Sequence, residues 1–214
     1  MNKTIFLVFW LLFLLTTFSF AQNKNETRQT AVSAVSYGIV VDNSGSYRKL
    51  LESVIDASKD IVKENKADDE TFLVRFVDSE KIKVLQDFTD SKESLHDAAD
   101  EMFIEAGRAA ILDAVYFSAK YLAEKAKSDP NRKKALILIT DGEEFKSEIK
   151  SEELLKYLRE QQIKVYAIAL ADEKVSQKVL DKLTKETGGK KYFPKTRNEV
   201  PEIVKELANA IRIQ

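Results

Sequence analysis

The sequence predicts an α/β fold: a doubly wound, mainly parallel six-stranded sheet with one antiparallel edge strand and helices on both faces. Three observations predict it. Short runs rich in β-branched and aromatic residues alternate with stretches of helical spacing. Two of those runs are apolar almost throughout, as strands covered on both faces must be. Two others are separated only by Asp78-Ser79-Glu80, too few residues for a helical crossover.

Taken in order, Val35–Val41 is the first strand, and its unbroken Tyr37-Gly38-Ile39-Val40-Val41 places it at the sheet centre. Tyr47, Leu50, Leu51, Val54, Ile55, Ile61 and Val62 then recur at helical spacing. Phe72–Val77 and Lys81–Leu85 form an antiparallel hairpin, and Lys81, Lys83 and Gln86 mark its second arm as an exposed edge. A shorter helix carries Leu95, Ala98, Ala99, Met102 and Phe103, with Met102-Phe103-Ile104 expected in the core. A longer one carries Ile111, Leu112, Val115, Ala119 and Leu122. Ala135–Thr140 is the second central strand, a neighbour of the first. Leu154, Leu155 and Leu158 lie on the next helix and Val165–Leu170 on the fifth strand. Val179, Leu180 and Leu183 belong to a helix stopped by Gly188-Gly189. Lys191–Phe193 is a short last strand, and a helix with Ile203, Val204, Leu207 and Ile211 follows. The mixed-charge stretches Lys146–Glu153 and Glu173–Lys185 read as solvated helix surface. There is no internal repeat, so residues 34–214 are expected to form one domain.

The first 21 residues stand apart. They hold one charge, Lys3, then the apolar run Ile5–Leu15, and end with Ser19 and Ala21 at the positions a signal peptidase requires to be small. A permanent anchor needs about 20 apolar residues, so a cleaved secretory signal over 1–21 is expected, followed by a polar leader over 22–33. The product would be exported, periplasmic or secreted, with no stable membrane span after cleavage. Asn25-Glu26-Thr27 matches a glycosylation pattern of low specificity.

Composition then excludes much chemistry. The 214 residues include no Cys and one His, and Lys+Arg and Asp+Glu number 34 and 35. Disulfides, thiolate nucleophiles and Cys-ligated metals are ruled out. A net charge of −1 gives no general attraction for nucleic acid. The one His, His96, lies in a helical stretch of mixed polarity with no serine tied to it by pattern, and is expected to be a solvated surface residue.

In an open parallel sheet, ligands bind beyond the carboxyl ends of the central strands. The first central strand runs into Asp42-Asn43-Ser44-Gly45-Ser46 and the second into Asp141-Gly142-Glu143-Glu144. If the strands are neighbours, two carboxylates and two hydroxyls share one end of the sheet. An all-oxygen set with two acids suits Mg2+, Mn2+ or Ca2+ rather than zinc or copper. Each motif alone also has a plain structural reading, as a helix cap or a tight turn.

Asp42-x-Ser44-x-Ser46 after the first strand, with Thr140-Asp141-Gly142 ending a later one, resembles the metal-ion-dependent adhesion site of von Willebrand factor type A domains. The resemblance extends over Ala34 to Ile213. It implies an exported, non-enzymatic interaction or adhesion module of a type found in bacteria. It also implies that Ser44 and Ser46 ligate a divalent cation, that Asp42 and Asp141 act directly or through water, and that a carboxylate of a protein partner completes the shell. One position departs from the family: alignment on Asp113-Ala114 puts Ala109 where the family supplies a Thr or Ser ligand, and Ala110 offers no substitute. Water would have to fill that place, at a cost in affinity. Arg108 and Glu143 are the candidate partner-contacting residues. Arg108 would pair either with a partner's acid or with Asp42 and Asp141, or is an ordinary loop arginine. Asp113 orients its loop or serves its helix. Two other functions compete. One is a metal-free scaffold with a decayed site. The other is a Mg-dependent phosphatase like the haloacid dehalogenases, with Asp42 as nucleophile, although those carry an acid where this chain has Ser44.

Overall fold

The structure, a computed structural model, describes residues 33–171 and 175–213; the expected signal and leader therefore lie outside the described residues, apart from Ser33. Six strands, β1 (Val35–Asp42), β2 (Glu70–Phe76), β3 (Ile82–Thr89), β4 (Lys133–Thr140), β5 (Ile163–Ala169) and β6 (Lys191–Tyr192), form one sheet in the order β3-β2-β1-β4-β5-β6. All pairings are parallel except β2 with β3. β1 and β4 are neighbours in the middle of the sheet, as their apolar continuity predicts, β3 is the antiparallel edge and the short β6 the other.

Side-chain alternation sends successive strand residues to opposite faces, and each face has its own helices. Val35, Tyr37, Ile39 and Val41 of β1 pack beneath α1 (Leu51–Lys63), α2 (Lys92–Asp100) and α6 (Val200–Ala210). Val40, with Phe72 and Val74 of β2, packs beneath α3 (Ile111–Lys125), α4 (Ser151–Glu160) and α5 (Gln177–Thr187). Gly38 sits on that second face because the Phe72 ring lies over it; a Cβ there would fall 2.2 Å from Phe72 Cζ.

Several boundaries differ from expectation. β3 runs on to Thr89, because Phe88 packs its ring on Phe72 at 4.8 Å between centroids. β4 begins at Lys133, whose N–H donates to Ala34 O. Tyr47 is not in the first helix but in a 3-10 turn, Gly45–Lys49, which ends at Leu50 before α1 starts. The expected core run splits: Met102 is buried, Ile104 is intermediate and Phe103 is 52% exposed, because α2 has already ended at Asp100. His96 is half-buried rather than solvated, with Nε2 buried and without a partner. Residues 146–150 are loop, not helix surface, and Glu173 lies outside the described residues. Among the described residues no helix is long and apolar enough to cross a membrane.

At the amino end of the sheet, the Asp69 carboxylate accepts the Val35 and Lys66 N–H groups and pairs with Arg212 just beyond α6. Both partners are buried. This ties the stretch entering β1 to the stretch leaving α6.

Candidate metal and partner site

β1 ends with Asp42 at the carboxyl edge of the sheet, 1% exposed. Its Oδ1 accepts the Ser44 N–H at 2.9 Å and its Oδ2 accepts the Thr140 hydroxyl at 2.8 Å. Thr140 is the last residue of β4, so the two central strands are joined through this carboxylate. The Asp42–Ser44 bond curls the chain into the 3-10 turn and brings Ser44 Oγ to 3.1 Å from Ser46 Oγ. Two oxygens on one edge of an octahedron around Mg2+ lie about 3 Å apart, given Mg–O distances of about 2.1 Å. The pair of hydroxyls fits that edge.

Asp141 follows Thr140 and is buried, and its Oδ1 accepts the Glu143 N–H at 2.9 Å. Gly142 between them has φ +80°, and a Cβ there would stand 2.0 Å from Ser176 O. Only glycine meets both demands. The turn is pinned from outside by Ser176 N–H donating to Asp141 O at 2.8 Å. Ser46, Asp141 and Glu143 line one open cleft of about 460 Å3 with Arg48, Lys49 and Leu170. The sequence-predicted Asp42, Ser44, Ser46 and Asp141 are thus brought to one end of the central strand pair.

Burial pushes the Asp42 carboxyl up from 3.8 to about 6, and the nearby Asp141 charge adds to this. The hydrogen bonds from Ser44 and Thr140 pull the other way without cancelling it. The Tyr47 hydroxyl is also pushed well up by burial and by the two aspartates, and donates to Leu170 O at 2.8 Å. A desolvated acid beside a second acid is an arrangement that a cation relieves. Among the described residues no three Asp, Glu or His side chains group as a metal cluster. The donor set here has only two acids and depends on hydroxyls.

Ala109 is buried, and its carbonyl accepts the Phe145 N–H at 3.0 Å, so its loop packs against the loop that carries Asp141. Its methyl group offers no ligand. Arg108 does not pair with Asp42 or Asp141. It is exposed, with its guanidinium 4.9 Å from the Phe145 ring centroid, so of the alternatives the internal pairing is not formed and the exposed loop position is what the fold gives. Glu143 is exposed at the cleft. Asp113 orients loops: its carboxylate accepts the Ser79 hydroxyl (2.6 Å) and the Glu148 and Ile149 N–H groups (2.8 and 2.9 Å).

Sequence reasoning missed two contributors. Thr140 was legible only as part of its motif, not as the partner of Asp42. Asn43, the unspecified residue after Asp42, is buried and donates from Nδ2 to Phe103 O at 2.8 Å, while its backbone carbonyl accepts the Glu105 N–H at 3.1 Å. It fastens the loop that runs to Arg108 and Ala109. No pattern of residue types marks that role.

A model of the von Willebrand factor type A domain matches residues 38–206. No curated protein matches the chain. Among solved structures, an aerotolerance-related membrane protein from Bacteroides fragilis superposes with a TM-score of 0.66 at 16% identity, over 82% of this chain and 99% of its own. A von Willebrand factor type A protein from Catenulispora acidiphila gives 0.68 at 18% identity, over 84% of this chain and 43% of its own. The pilus adhesin SpaC from Lactobacillus rhamnosus GG gives 0.65 at 13%, over 85% and 30%. At these identities the likeness is one of fold. With the family model covering most of the chain, the protein belongs to the von Willebrand factor type A domain family.

Proposed function

We propose that the protein is an exported, non-enzymatic interaction module that binds a protein partner at the carboxyl end of the sheet, assisted by a divalent cation. Ser44 and Ser46 would ligate Mg2+, or Mn2+ or Ca2+ in its place. Asp42 and Asp141 would act directly or through water, and a partner's carboxylate would complete the shell. The observation that carries this reading is Asp42: a buried acid at the junction of the two central strands, next to a pair of hydroxyls at octahedral-edge spacing. Family membership supports it, since these domains commonly hold a divalent metal. The membrane and pilus proteins that share the fold are in keeping with export.

A second reading, a metal-free scaffold, is favoured by Ala109 and by the way Asp42 is already satisfied on both oxygens. Calorimetric titration with Mg2+ separates the two. The cation reading expects weak binding by the native chain, tighter binding by Ala109→Thr and none by Ser44→Ala/Ser46→Ala. No heat from the native chain would favour the metal-free scaffold, and equal affinity in the native chain and Ala109→Thr would count against the missing-ligand account. Binding unaffected by loss of both serines would sink the site itself.

A further inference from the structure

Four large apolar side chains stand in solvent among the described residues: Phe103, Phe145, Phe193 and Ile213. Two of them, Phe103 and Phe145, lie on loops at the candidate site, and each is about half exposed. Neither is loosely held. The Phe103 carbonyl is fixed by Asn43 Nδ2, and the Arg75 guanidinium lies 4.6 Å from its ring centroid. The Phe145 N–H is fixed by Ala109 O, and Arg108 covers one side of its ring.

The two arginines differ in what else they hold. Arg75 Nη1 donates to Glu105 at 2.9 Å. Arg108 has no carboxylate partner among the described residues. Rigid aromatic faces bury area on binding at little further cost in ordering, which is why such residues dominate interface energetics. A guanidinium without a carboxylate, set on one of the rings, adds attraction for an incoming acid.

We propose that Phe103 and Phe145 form an apolar rim around the cation site, and that the partner is a protein segment whose carboxylate is flanked by aromatic or aliphatic side chains. The acid meets the cation and Arg108; its neighbours cover the two rings. This rests on the cation-assisted reading above for the acid, but not for the rings. A segment with one acid can set it on Arg108 and the cation and keep it clear of exposed Glu143, whereas an anionic bilayer would lay its charges over Glu143 as well.

The test pans a phage-displayed library of random peptides on the purified protein in Mg2+ and elutes with EDTA. The expected eluate is enriched in Asp or Glu next to Phe, Leu, Ile or Trp. A synthetic peptide of that sequence should bind about tenfold more weakly to Phe103→Ser/Phe145→Ser, while the Mg2+ affinity and thermal midpoint of the variant match the native protein. Acidic peptides without apolar neighbours, equal affinity for the variant, or no enrichment at all would overturn the rim. Apolar-flanked acidic peptides that resist EDTA but are lost on the double substitution would keep the rim and refute the cation. Loss by the variant of binding to phosphatidylcholine–phosphatidylglycerol vesicles, with no peptide enriched, would assign the rings to a membrane instead.

Discussion

Asp42→Asn should make the metal-free protein more stable at neutral pH, even though it removes a residue the site is built around. The native carboxyl titrates near 6 because it is buried, against 3.8 for an ordinary aspartate. The folded state therefore holds its proton more tightly than the unfolded chain does. Stability from this group is fully present below pH 4, falls as pH rises from about 4 to 6, and is flat above that. At pH 7 the ionised group costs about 3 kcal/mol relative to the unfolded chain. Asparagine removes that charge with almost no change of shape. It keeps an acceptor for the Ser44 N–H but turns a donor toward Thr140, forfeiting a hydrogen bond at about 1 kcal/mol. The net gain is about 2 kcal/mol. Urea unfolding in EDTA at pH 7 should show it, and the advantage should vanish at pH 4, where the native acid is protonated. Added Mg2+ should stabilise the native protein by mass action and leave the variant unchanged. An Asp42→Asn protein less stable than native at both pH values in EDTA would refute the reasoning, since burial of charge would then not be the governing term.

Other outcomes follow from the same contacts. Gly142→Ala forces a side chain onto Ser176 O at a backbone angle that disfavours it, and should lower stability by about 2 kcal/mol or more in thermal unfolding, with loss of Mg2+ binding. Asp113→Ala removes the acceptor of two loop N–H groups, so hydrogen exchange at Glu148 and Ile149 should accelerate, with about 1–3 kcal/mol lost in denaturant unfolding. Arg212→Ala leaves Asp69 buried without its cation and should cost about 3–5 kcal/mol by the same measurement, whereas Arg212→Met/Asp69→Asn, which removes the charge but keeps an acceptor for the Val35 N–H, should cost less.

The sheet was legible because its signals are local. Continuous apolar runs marked β1 and β4 as central, and three residues between Phe72–Val77 and Lys81–Leu85 left only a hairpin. The gathering of Asp42, Ser44, Ser46 and Asp141 was legible because each follows a central strand at its carboxyl end. What escaped depends on partners distant in sequence. Lys133 pairs as a strand through Ala34, a contact that composition does not mark. Phe103 reads as a continuation of the apolar helix face, yet the helix has stopped and Asn43, 60 residues away, fixes its carbonyl. Arg108 could be placed next to the gap left by Ala109, but only the fold shows it over Phe145 rather than over an aspartate.

The Asp69–Arg212 tie sits at one end of β1 and Asp42 at the other, which makes β1 the direct line between the chain's entry into the domain and the candidate site. Pulling along that line would slide β1 past β2 and β4 at once. The interstrand hydrogen bonds on both sides lie across the pull, so they must yield together rather than peel one by one. A load applied between residue 33 and the carboxyl end of β1 would thus act in shear along a strand paired on both sides, the direction in which a sheet resists best.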